Sequence, residues 1–143
     1  MSIDLIVYLR RSAMPTPARW QQAVHDAGFP AELDTDFDAE TFSGFLPCKF
    51  RGADAGFEYF SVAVDERERA ESGAPPGADF AVTLATHSDL QECASSLVAA
   101  GALCHVSGGL LVDPQSGESF TSERVLGWVR EQLSHLAPHL NRR

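Results

Sequence analysis

The sequence predicts an α+β two-layer sandwich, a mostly antiparallel sheet with helices on one face. Three observations predict it. Runs rich in β-branched and aromatic residues recur along the whole chain. Segments with helical periodicity and helical caps lie between them. Connections are short, and the elements follow the order β-α-β-β-β-α-β-α. A ferredoxin-like core with additions is one arrangement of that order. No repeat and no shift in composition marks a boundary, so one domain over residues 1–143 is expected.

Ile3-Asp4-Leu5-Ile6-Val7-Tyr8-Leu9 is apolar on both faces, which suits a central strand. Thr16 caps a helix with Pro17 at its first position. Trp20, Val24 and Ala27 share its buried face, and Gly28 stops it. Phe45 to Arg51 forms a strand in which Pro47 suggests an edge or a strand start. Gly52 to Gly56 turns, and Phe57 to Val64 returns. Glu66 to Gly77 is charged, then rich in Gly and Pro, and reads as a loop. Asp79 to Thr86 is the next strand. Ser88, with Gln91 three residues on, opens a helix that Gly101 approaches from its far end. Cys104 to Asp113 reads as a strand whose Gly108-Gly109 pair suggests a bulge. Pro114 to Gly117 turns. Ser122 caps a last helix with Val125, Leu126, Val129, Leu133 and Leu136 on its apolar side. Pro138 is expected to break that helix, and Asn141 to Arg143 to fray.

A net charge of −9 argues against a nucleic-acid binder, which needs basic patches for phosphate. It also disfavours anionic lipid and leaves a basic protein partner as the natural target of a field. No apolar run approaches the roughly 20 residues that cross a bilayer. Ile3 to Leu9 is too short for a signal-peptide core and carries Asp4 where a basic region belongs. Cys48, Cys93 and Cys104 show no paired spacing, and an odd count fits a reducing cytosol. A cytoplasmic protein is the expectation.

The most pointed local feature is the stretch Glu32 to Glu40. Glu32, Asp34, Asp36, Asp38 and Glu40 fall at every second position with no base among them. In an extended segment they line one side, with Leu33 and Phe37 pointing the other way as anchors. Such a row either attracts a cation-bearing partner or stays a solvated face. It is no EF-hand: counted from Asp34, the positions that need Gly and a bidentate Glu hold Ala39 and Phe45.

Other chemistry is thin. His87, Cys93, Cys104 and His105 lack the close ligand pairs of zinc sites. His135 and His139 are separated by Pro138. His87-Ser88-Asp89 cannot form a triad from consecutive residues, and no G-x-S-x-G or phosphate-binding glycine loop occurs. No catalytic residue, metal or cofactor is therefore expected. Three readings stand. The first is a protein-binding module whose contact surface is the acidic row. The second is a small enzyme or ligand binder, its pocket between sheet and helices with Cys48, His87 or His105 at the lip. The third is a homodimer joined by the edge strand near Pro47.

Gly44-Phe45-Leu46-Pro47, the return Ala55-Gly56-Phe57-Glu58-Tyr59 and the run Gly108 to Gln115 carry a resemblance. In them the chain resembles small acidic α+β proteins that serve bacteria as immunity partners of secreted toxins. The resemblance implies a cytosolic, non-catalytic inhibitor that meets a basic toxin domain with an acidic surface. It assigns no individual residue.

Overall fold

Alternation along seven strands builds one antiparallel sheet among the described residues, 3–140, of the computed structural model. The elements are β1 (Ile3–Leu9), α1 (Pro17–Asp26), β2 (Ala31–Leu33), β3 (Gly44–Phe50), β4 (Ala53–Ala63), α2 (Glu66–Ser72), β5 (Phe80–Thr86), α3 (Leu90–Ser107), β6 (Leu110–Asp113), β7 (Glu118–Thr121) and α4 (Val125–Leu140). The spatial order is β2-β3-β4-β5-β1-β6-β7. The four inner strands β4-β5-β1-β6, with α1 and α3, make the ferredoxin-like β-α-β-β-α-β core. β2 and β3 extend one edge of it; β7 and α4 extend the other. The tail expected to fray lies outside the described residues.

Leu5, Val7 and Leu9 of β1 pair with Leu84, Val82 and Phe80 of β5 and face the helices, all buried. Tyr59 and Phe57 of β4 continue that layer. α3 lies across it. Eleven of its residues, Ala94 to Cys104, are buried without a break, because α1 and α4 flank the helix while the sheet covers its underside. Ala99 offers its carbonyl to the Trp20 indole N–H at 2.9 Å, tying α1 to this helix.

Several expectations are corrected. Thr16 does cap α1, accepting from the Arg19 N–H at 3.2 Å. The β3–β4 turn is only Arg51-Gly52, both with positive φ (54° and 78°), which matches the twist of a tight hairpin. Pro47 is not on an edge strand, since β2 pairs outside β3. Its carbonyl accepts from Asp34 N–H at 3.2 Å, so the side on which it lacks a donor is where the β2 ladder ends. The expected loop after β4 contains α2, capped by Asp65 and closed by Gly73. α3 is capped by Asp89, not Ser88, and runs through Gly101 to Ser107. Gly108 is its left-handed C-cap (φ 71°), so the glycine pair ends a helix rather than bulging a strand. The strand beyond is Leu110–Asp113, and β7 pairs with it as a second hairpin arm. α4 starts at Val125, three residues past Ser122, and continues through Pro138, which sits in its last turn.

Candidate functional site

The acidic stretch does not form one row. Only Ala31–Leu33 is strand, and Leu33 and Ala31 face the core while Glu32 points to the open side of the sheet. Beyond it the chain folds into a loop. Asp34 accepts from Asp36 N–H at 2.8 Å, and Asp38 from Glu40 N–H at 2.9 Å. Two Asx turns thus replace the extended ladder. The anchoring role expected of Leu33 and Phe37 holds. The Phe37 ring lies 5.4 Å from Tyr59, 5.6 Å from Phe42 and 6.4 Å from Trp20. The Tyr59 hydroxyl donates to the Ala39 carbonyl, and Ser61 Oγ donates to that of Glu40 at 3.1 Å. Burial, then Asp38 and Glu40, hold the Tyr59 phenol well above its ordinary pKa, so it stays a donor. Glu40 meets Arg11 at 3.6 Å. The loop is therefore ordered by an aromatic cluster beneath it while Asp34, Asp36, Asp38 and Glu40 remain exposed.

Glu32 and Asp34 instead meet a residue far along the chain. Together with Asp54 and Lys49 they line a shallow depression of about 330 Å³ on the β2–β3–β4 edge. The register explains the gathering: Glu32 stands opposite Lys49, and Lys49 opposite Asp54. Lys49 reaches Asp54 at 3.9 Å, and Glu32 and Asp34 line the same depression. The expected turn, Gly52 to Gly56, leaves Asp54 off the ladder; the two-residue Arg51-Gly52 turn sets it opposite Lys49. Among the described residues no group of three His, Cys, Asp or Glu is close enough to hold a metal.

The same open face carries apolar side chains. Phe45, Phe60 and Val62 are 46%, 43% and 56% exposed. By strand alternation they share this face with Glu58, Thr83 and Ile6: Phe45 pairs with Glu58, Phe60 with Thr83, and Thr83 with Ile6. The Phe45 ring lies over Gly56, where a Cβ would collide with it. One corner is covered: Ala74 and Ala78, after α2, pack on Leu110 with Tyr8 and Val112 beside them.

The pocket residues of the second reading do not converge. Cys48 is buried under the sheet, and burial pushes its thiol up to about 11. Cys104, also buried, rises to about 12 for the same reason, and half-buried Cys93 is raised too. None is an activated thiolate. His87 is exposed after β5. His105 is exposed in the last turn of α3, at the opposite end of that helix from His87. His135 and His139 lie one turn apart on α4, both exposed.

No helix among the described residues is long and apolar enough to cross a membrane. Compared with family models, with curated proteins and with solved structures, the chain matches none.

Proposed function

We propose that the chain is a non-catalytic binding module that takes a basic protein partner on the open face of its sheet. One observation carries this reading: Phe45, Phe60 and Val62 stand exposed on one face that also holds the Glu32–Asp34–Asp54 depression. Contiguous exposed apolar side chains on a folded protein commonly mark an interface. The depression is complementary to a lysine or arginine placed beside an apolar anchor. Asp36, Asp38 and Glu40, outside this face, add to the long-range field that speeds encounter with a cation-rich surface. The ordered loop lowers the entropy lost when that surface is met. An inhibitor that meets a basic toxin domain, as the immunity proteins do, is one form of this function.

The test is capture from the source cells with tagged protein, in parallel with two variants. One is Phe60→Ser with Val62→Thr; the other is Glu32→Gln with Asp54→Asn. The expected result is one basic protein held by the native chain, released by high salt and lost from both variants. Equal capture by all three proteins would refute the reading.

A further inference from the structure

A second concave region lies in the helical layer, away from the sheet face. α1 and α4 both pack on α3 but stand apart above its C-terminal end, leaving a groove of about 560 Å³. That is within the size range of small-ligand sites, about 300–1,000 Å³. Its floor is apolar: Ala23 and Ala27 from α1, Val106 from α3 and Leu126 from α4. Val106 is 39% exposed there, just past the buried run Ala94 to Cys104 of the same helix.

The rim is cationic, in a chain with 20 acids and 11 bases. Arg19 and Arg130 face the groove from opposite helices, and neither is in an ion pair among the described residues. Arg130 is held in place. One of its nitrogens donates to the Ala27 carbonyl at 3.2 Å, and its guanidinium lies 5.8 Å from the centre of the Phe29 ring. A guanidinium has five N–H donors, so most remain free for a ligand. His105 is oriented as well. Its Nδ1 is 3.0 Å from the Ser122 carbonyl. A carbonyl only accepts, so Nδ1 carries the proton and Nε2 is left for another partner. The one carboxylate on the rim, Asp26, is engaged by the Gln22 amide at 2.7 Å.

We propose that this groove binds an amphiphilic anion: a carboxylate or phosphate group carried on a hydrocarbon or aromatic body. The charged end lies between Arg19 and Arg130, where guanidinium forks suit its oxygens. The body lies on Ala23, Ala27, Val106 and Leu126. The site is independent of the sheet face and stands whether or not a protein partner docks there.

The experiment uses the full chain, labelled with nitrogen-15, titrated with 2-naphthoate and with its uncharged analogue 2-naphthamide. Saturable amide shifts are expected at Ala23, Ala27, Val106 and Leu126 with naphthoate. Naphthamide is expected to bind at least about tenfold more weakly, as befits loss of charge-assisted hydrogen bonds. Arg19→Gln and Arg130→Gln should each weaken naphthoate by about tenfold. Arg19→Gln removes no hydrogen bond of the folded chain, so it reports on binding even if Arg130→Gln disturbs the helices. Phe60→Ser, on the sheet face, should leave naphthoate affinity unchanged. Equal affinity for the two probes, shifts that centre on the sheet face, or indifference to both arginine variants would overturn the proposal.

Discussion

The two faces of the sheet are built from alternate residues of the same strands. On the helical side Leu5, Val7, Val82, Leu84 and Tyr59 are all at most 3% exposed. On the other side Phe60, the chain neighbour of Tyr59, and Val62 are 43% and 56% exposed. Phe60 and Val62 are apolar like the buried side chains, but they share the open face with Glu32, Lys49, Asp54, Glu58 and Thr83. They differ also in cover: α3 lies across one, while the short Ala74–Ala78 segment covers a corner of the other. The first face holds the fold together; on the second, large apolar side chains stay exposed.

Leu84 and Phe60 give the largest contrast. Leu84 lies between Leu5 and Tyr59 in the ladder and is fully buried. Leu84→Ala should cost about 2–5 kcal/mol, through lost transfer energy and the cavity left behind. Phe60→Ser should stay within about 0.5 kcal/mol, as exposed substitutions do. Urea unfolding of both variants measures the contrast, and comparable losses would erase the proposed division of the faces.

The helical layer sharpens it further. A Cβ on Gly101 would come within 2.6 Å of Val129 Cγ2, so α3 and α4 meet there without spare volume. Gly101→Val should therefore destabilise by about 1–3 kcal/mol, despite removing a helical glycine. The same unfolding measurement reads it.

A smaller effect depends on pH. Cys48 and Cys104 titrate at about 11 and about 12 in the folded chain, against 9.0 for a free thiol. Above pH 9 the unfolded chain releases these protons first, while the folded chain keeps them. The stability they contribute is thus full below pH 9 and is lost as pH rises toward 11 and 12. The urea midpoint should fall over that range, and Cys48→Ala should make the fall shallower. An unchanged slope in that variant would remove Cys48 from the account.

The smallest effect on stability belongs to the acidic loop. Asp34→Asn, Asp36→Asn, Asp38→Asn and Glu40→Gln together keep an acceptor oxygen for both Asx turns. The unfolding midpoint should hold. With a captured partner, association should slow and its salt dependence flatten, while dissociation changes less. Unaltered association kinetics would exclude the loop from steering.

Much of the architecture was legible. The β-branched and aromatic runs of β1, β3, β4 and β5 and the Thr16-Pro17 start of α1 are local signals, written in adjacent residues. The errors fell where a local signal had two physical uses. Gly108-Gly109 suits a bulge or a helix end. Its role was settled because α3, covered on all sides, had no reason to stop at Gly101. Glu32 to Glu40 alternates as a strand does, yet Asp34 and Asp38 bond their own backbone, and the loop closes over Trp20 and Tyr59 instead. The candidate site was half legible. Glu32 and Asp34 were named from spacing, whereas Asp54 joins them only through hairpin register.

Charge, cap residues and strand periodicity are properties of neighbours in the chain, and residue order was enough to specify them here. The sign of the net charge, the α+β class and the absence of close metal-ligand pairs follow from it. Which apolar face stays open, which carboxylates share a depression and where two arginines flank a groove are relations between residues distant in sequence. They were set when β2 and β3 joined the edge of the sheet and when α1 and α4 came to rest on either side of α3. Packing makes those choices, because burial and register act on whole elements and not on the single residues that compose them.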